Sequence, residues 1–416
     1  MIDTEVAGAR GTPSNSTLAR RLDLPLTVLF GLGVTIGAGI YVLIGAAAGR
    51  AGMHAPLAFL LAGLVMAPTA IAYAELSSRL PVSASEAAYV EAGFGSDLLA
   101  RIVGLIVLAV GVISAAAIAK GSAGYIHELV TLPMNVILVA VIVIMGSIAA
   151  WGIVESVAIA GLMTVIEIGG LLAIIFVGAT QSPGLVTRLP EMWTGFGDVA
   201  SMTGVVSASL LAVFAFIGFQ GLANISEEVK QPHRTLPKAI LLTLVISTVF
   251  YMVVVWIALI SVPRDELAVA RAPLSLVFER VTGAPPVMIS IIAVMATING
   301  VIIQMVMASR ILYGMAERNL LPQRLAVVSP LTRTPLNATV LVVLAVLFLA
   351  LALPMERLAD ITSQLTLIVF ALVNAALVLV KSRGLPPPAD TFTAPIVVPA
   401  AGLLLCIALL VAAQFG

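Results

Sequence analysis

The chain has 416 residues, 61% of them hydrophobic and only 10% charged, with 21 basic and 21 acidic side chains. Soluble domains carry about 25% charged residues, so a soluble globular protein is excluded. A formal net charge of +0 offers no basic surface to nucleic acid.

The expected architecture is an all-α polytopic membrane protein. Residues 1–24 are polar and lack an apolar core, which reads as a tail and not as a cleaved signal peptide. Eleven apolar runs of spanning length follow: Leu26–Ala48, Pro56–Leu80, Leu98–Ala119, Met134–Ile153, Val157–Gly178, Met202–Glu227, Pro237–Val262, Pro286–Glu317, Leu336–Leu353, Leu358–Val380 and Ala394–Phe415. No strand alternation interrupts them. With the N-terminus inside, most of the 21 Lys and Arg residues fall in inner loops. The expectation is a multi-pass protein of the cytoplasmic membrane with a cytoplasmic N-terminus and, from the odd number of spans, an outer C-terminus.

The first run contains GLGVTIGAGIY, Gly31–Tyr41. Each glycine weakens a helix by about 0.5–1 kcal/mol relative to alanine. Backbone freed from helical bonding persists at membrane depth only where protein or a wet cavity satisfies it. Gly37-Ala38-Gly39 is therefore expected to break the helix and line a site. Gly33-x-x-x-Gly37 also fits a small-residue packing motif, which taken alone is the plainer explanation. A second interruption, FAFIGFQG at Phe214–Gly221, tips the balance to a site. Paired broken helices mark the binding centre of a secondary transporter.

Arg79-Leu80-Pro81 closes the second run. Glu167 lies about ten residues into its run, near midmembrane. An acid at that depth is a candidate for ion coupling, weighed against the plainer role of bonding a neighbouring helix. Thr180–Ser201 reads as an outer loop with a short surface helix. Thr235 reads as a helix cap, with Pro237 in the first turn. Thr297 and Asn299 are candidates to line an ion or substrate path, and such residues also glue helices together. Thr362, Ser363, Gln364 and Thr366 form a polar patch placed toward the cavity. Lys120 reads as a snorkelling side chain.

His54, His127 and His233 lack ligand spacing, so neither a metal nor a cofactor is expected. The single cysteine, Cys406, lies in the last run. It excludes an internal disulfide and leaves no loop thiol for a disulfide-linked partner subunit. An enzyme would need a nucleophile–base set, which is not found. A channel would want a continuous polar pore.

The Gly31–Tyr41 stretch resembles the glycine-broken first helix of the amino acid–polyamine–organocation (APC) permeases. FAFIGFQGLANISEEVKQPHRTLPKAI, Phe214–Ile240, is similar to their signature through the sixth helix. SRILYGMAERNLLP, Ser309–Pro322, and ELSSRLP, Glu75–Pro81, resemble them too. The resemblance implies the five-plus-five inverted-repeat (LeuT-like) transporter fold. Residues 25–180 would form the first repeat, 181–383 the second, and 384–416 one additional C-terminal helix, where many such permeases have a twelfth. Gly37, Ala38, Gly39 and Ile40 would bind a substrate carboxylate, and Thr35 is a further substrate-binding candidate. Phe214 would act as an aromatic lid, with Phe216, Ile217 and Gly218 at the second unwound turn. The plainer role of Phe214 and Phe216 is packing. Gln220 departs from the pattern, because several relatives carry an acid there. Glu167, Thr297 and Asn299 would serve ion coupling. The implied function is secondary active amino acid transport by alternating access, driven by protons or sodium. The scarcity of acids near the site favours a neutral amino acid. An exchanger, or a cationic amino acid or polyamine permease, is the alternative. Membrane lipid is the remaining expected partner.

Overall fold

The computed structural model describes residues 22–80, 85–152, 157–182, 184–195, 198–226, 228–317, 320–384, 387–388 and 391–414. The expected tail up to residue 21, and Pro81, lie outside them. Among the described residues the chain is helical throughout, with one isolated bridge between Leu22 and Val229. The helices are α1 (Leu24–Ala51), α2 (Ala55–Arg79), α3 (Ser85–Phe94), α4 (Asp97–His127), α5 (Met134–Trp151), α6 (Val157–Gln181), α7 (Val199–Phe216), α8 (Gly221–Asn224), α9 (Pro232–Ser261), α10 (Arg264–Val269), α11 (Pro273–Thr282), α12 (Val287–Glu317), α13 (Leu336–Ala352), α14 (Met355–Ser382) and α15 (Val397–Ala412).

Among the described residues, eight apolar helical stretches are long enough to cross a membrane, and the first of them holds both α1 and α2. Two shorter apolar helices, α13 and α15, complete the expected set. The additional helices α3, α10 and α11 escape a hydropathy reading because they are short and carry charges such as Glu86, Asp265 and Glu266. The described part of the loop between α6 and α7 holds a short 3-10 helix, Leu189–Met192. It is tied down by Trp256, whose ring N–H donates to Leu185 O at 3.0 Å.

The start of α9 differs from expectation. The helix begins at Pro232, with Gln231 in the left-handed conformation, so Thr235 and Pro237 lie inside it. Proline is well suited to a first helical position, and Pro232 meets that need before Pro237. Thr235 donates its hydroxyl to Lys230 O at 2.7 Å instead of capping. Pro237 has no N–H to give the His233 carbonyl four residues back. That carbonyl accepts the Ser78 hydroxyl at 3.2 Å instead, which fastens α9 to the end of α2.

Polar contacts close both ends of the bundle. On the N-terminal face, Glu75 is fully buried and accepts from Arg79 at 2.9 and 2.7 Å, from the Ala394 N–H at 2.9 Å, and pairs with Lys381 at 2.6 Å. Leu22 pairs with the strand-like segment around Val229, its N–H donating to Glu228 O at 3.1 Å. On the opposite face, Arg50 at the end of α1 grips Asp360 of α14 through two bonds of 2.9 and 2.8 Å, and reaches Ser207 O at 3.2 Å. Lys120 does more than snorkel: its ammonium donates to Ala350 O at 2.7 Å. That carbonyl lies in the last turn of α13, where the helix dipole favours a cation. α15 packs on α2 and α14, and Gly402 leaves room for Asn374, which donates to the Thr69 hydroxyl oxygen at 2.8 Å.

Candidate functional site

Two helices break at the centre of the bundle. In α1, Gly37 adopts φ −34 and ψ −121, outside the helical region. After α7, Ile217 is extended and Gly218 takes φ +147, a conformation for which glycine alone is suited. The breaks touch each other. A Cβ added at Gly218 would lie 2.6 Å from Val34 O, and one at Gly39 would lie 2.6 Å from Ala215 Cα. The two readings of Gly33-x-x-x-Gly37 therefore both hold, at different residues. Gly33 packs against Thr164 of α6, whereas a Cβ at Gly37 would find only Glu167 Oε2, 3.9 Å away.

Tyr251 of α9 holds this crossing. It is fully buried, and its hydroxyl lies 2.7 Å from Thr35 O and 2.7 Å from Ala215 O. In an unbroken helix the Gly39 N–H would take the Thr35 carbonyl. Phe216 and Phe59 pack edge-on against the tyrosine ring at 5.1 and 5.7 Å, fixing its rotamer. Gln220 has a structural role at the second break. Its side-chain oxygen accepts the Gly218 N–H at 2.9 Å, a donor that the unwinding would otherwise strand.

A small cavity of about 40 Å³ adjoins the crossing. Thr35, Gly37, Ala38, Gly39, Phe214, Ile217 and Asn299 line it as the sequence expects. The remaining expected residues lie behind it. Ile40 and Phe216 are fully buried in the core, and Gly218 is turned onto Val34. The Thr297 hydroxyl bonds Ala293 O of its own helix at 2.8 Å. Glu167 is 1% exposed and stands behind Gly37, while its backbone carbonyl accepts the Tyr41 hydroxyl at 2.7 Å. Thr362, Ser363, Gln364 and Thr366 do not line the cavity. The Thr362 hydroxyl turns back onto Leu358 O at 2.8 Å.

Sequence reasoning misses the wall supplied by α4 and, apart from Asn299, the wall supplied by α12. Ser114 and Ile118 come from α4, and Ala296, Gly300, Ile303 and Gln304 from α12. Helical spacing from Asn299 could have found Ala296 and Ile303, three before and four after it. Nothing distinguishes Ser114 or Ile118 from a packing residue. The lining reaches Gly33, Val34 and Gln304 on the N-terminal side and includes no α1 residue beyond Gly39. The mouth therefore points toward the N-terminal face, while the Arg50–Asp360 pair closes the other.

Among the described residues no charged side chain lines this cavity. A bound ligand's charges would meet backbone and half-helix ends, where an anion is favoured at a positive N-terminal end. Truncating Phe214 to alanine is expected to weaken ligand binding about tenfold, because an aromatic wall supplies buried area. Isothermal titration against the purified variant measures it. An unchanged affinity would make Phe214 a packing residue.

Two broken helices in contact beside an uncharged cavity define a carrier with a central site. The chain belongs to the amino acid permease family, whose model matches residues 22–416. It is thus an all-α, multi-pass membrane transporter, and not an enzyme. The chain is 28% identical over 431 residues to the branched-chain amino acid permease BcaP of Bacillus subtilis, covering 96% of this chain and 89% of that one. It is 31% identical over 410 residues to the cationic amino acid transporter 2, vacuolar, of Arabidopsis thaliana, covering 92% of this chain and 63% of that longer protein. A methylthioribose transporter of Bacillus subtilis is 29% identical over 390 residues, covering 89% of this chain and 83% of the relative.

Proposed function

We propose that the chain is a secondary active transporter that carries a neutral amino acid across the cytoplasmic membrane by alternating access, coupled to protons. The observation that carries this reading is the contact between the two helix breaks beside a cavity without charged side chains. A zwitterion must lose its water there, so each charge needs a partner. The amides following Gly37 would take the carboxylate. For the ammonium group, the Phe214 and Ala215 carbonyls are already engaged, by the Ile217 N–H at 3.2 Å and by Tyr251. The Ile217 carbonyl, at the cavity wall, is the one left for it. A second positive charge, as on arginine or a polyamine, would meet no carboxylate in the lining, which favours a neutral substrate over a cationic one.

In this reading residues 25–180 and 181–383 are the two inverted repeats, each opening on a broken helix, and 384–416 is the appended segment. The N-terminal face is cytoplasmic, as the distribution of Lys and Arg favours. The cavity then opens inward and the Arg50–Asp360 pair is the outer latch. Saturable, stereoselective uptake of a labelled amino acid into proteoliposomes tests the function. Non-saturable flux would support a channel instead.

Glu167 is the coupling group in this proposal, because its carboxylate stands behind the α1 break. A proton that binds more tightly in one facing state biases the equilibrium between the two. The measurement is uptake at several pH values, with and without sodium. Wild type is expected to accumulate substrate when the outside is acid. Glu167→Gln is expected to exchange substrate but no longer concentrate it. Unchanged pH-driven accumulation in the variant would leave Glu167 a structural role, and strict sodium dependence in wild type would change the ion.

A further inference from the structure

The cavity has one polar corner that backbone chemistry does not explain. Asn299 of α12 is 8% exposed and Thr35 of α1 is 2% exposed, and both line the cavity. The Asn299 side-chain oxygen and the Thr35 hydroxyl accept or donate no hydrogen bond within the protein. Buried polar atoms of this kind are ordinarily paired, and an unpaired one costs stability. Some hydroxyls elsewhere in the bundle meet this need through their own helix, as Thr297 and Thr362 do, and others, such as Ser122 and Thr243, do not. Among the described residues only Thr35 and Asn299 combine an unpaired buried atom with a place in the cavity lining. The Thr35 hydroxyl makes no own-helix bond to the Gly31 carbonyl four residues back. Two unsatisfied polar groups on opposite helices, α1 and α12, thus face one small space.

The neighbouring contacts set its dimensions. A Cβ added at Gly300 would lie 3.3 Å from Ala38 Cβ and 3.4 Å from Ile118. The wall beside Asn299 is therefore pressed close to the α1 break, and a substrate held at that break has little room beyond its first side-chain atoms. Ile118, Phe214, Ile217 and Ile303 supply apolar walls, and Ser114 and Gln304 are the further polar side chains in the lining.

We propose, resting on the amino acid reading above, that Asn299 and Thr35 are specificity-determining residues that select a short, neutral amino acid bearing a side-chain hydroxyl or amide over its aliphatic counterpart. A hydroxyl satisfies either end of the Asn299 amide, since it both donates and accepts. An aliphatic side chain of the same size leaves both buried groups unpaired. A site built to hydrogen-bond a substrate rejects the analogue that lacks the group far more strongly than an apolar pocket rejects an added methylene.

The test uses L-threonine and L-valine, which match in size and differ by one hydroxyl. Each is titrated as a competitor of labelled amino acid uptake by the full chain in proteoliposomes. Wild type is expected to bind threonine about tenfold or more tightly than valine, the scale set by leaving buried groups unsatisfied. Asn299→Leu is expected to bring the two within about twofold of each other, chiefly by admitting valine. Thr35→Val, which keeps shape, is expected to narrow the ratio in the same direction and guards against misfolding of the first variant. Equal competition by both amino acids in wild type overturns the proposal. So does an equal loss of both in Asn299→Leu, which would assign Asn299 to the common ammonium group. Those results leave amino acid transport standing, whereas absence of uptake of any amino acid overturns both readings.

Discussion

Replacing Gly39 with alanine is expected to abolish transport while the chain still inserts in the membrane. The added methyl would lie 2.6 Å from Ala215 Cα and 3.0 Å from its Cβ. Backbone, and not a flexible side-chain end, stands in the way, so α1 and α7 must separate. Separation pulls the two breaks apart and removes Tyr251 from one of its two carbonyls. Overpacking of this kind costs about 1–3 kcal/mol, and here it falls on the geometry of the site itself. Gly221→Ala is the contrast, because its nearest neighbour is the Val34 side chain at 3.9 Å. Uptake and substrate-induced thermal stabilisation measure both variants. Wild-type affinity in Gly39→Ala would show that the crossing can open without harming the site.

The second large effect is expected at Glu75. Its carboxylate is fully buried beside Arg79 and Lys381, whose side chains are 10% and 12% exposed. Glu75→Ala strands two largely buried cations and the Ala394 N–H. Removing one partner of a buried ionic cluster costs about 3–5 kcal/mol. The exposed pair Asp97–Arg101, at 66% and 45% exposure, provides the control. Asp97→Asn is expected to change stability by less than about 1 kcal/mol. Thermal unfolding in detergent compares them. An equal, small effect at both sites would mean that water reaches Glu75 freely.

The spans were legible because lipid demands uninterrupted apolar length, a signal that survives without any partner helix. The breaks were legible because glycine weakens a helix at its own position, so Gly37 and Gly218 announce themselves locally. What surrounds the breaks was harder. Glu167 reads correctly as deep and central, but depth along a helix does not tell which way a side chain faces, and it stands behind Gly37 instead of in the cavity. Ser114 and Ile118 reach the site only because α4 crosses there, and crossing is a property of the assembled bundle. Thr297 and Asn299 look alike in sequence. One bonds its own helix and the other faces open space, a difference of about 200° around the helix axis. The polar run from Thr362 to Thr366 misled for the same reason.

Tyr251 has a consequence for motion. A hydroxyl carries one proton, so at any instant it gives a full bond to Thr35 or to Ala215 and only leans on the other. If either half-helix swings away, the proton stays with the one that remains, and little bonding energy is lost. In the alternating-access proposal the tyrosine would therefore act as a bearing on which the two segments turn. A rigid clamp with two donors would charge the full strength of a bond for every opening. Resistance to the swing then resides at the rims, in Arg50–Asp360 at one end and the Glu75 cluster at the other, far from the ligand.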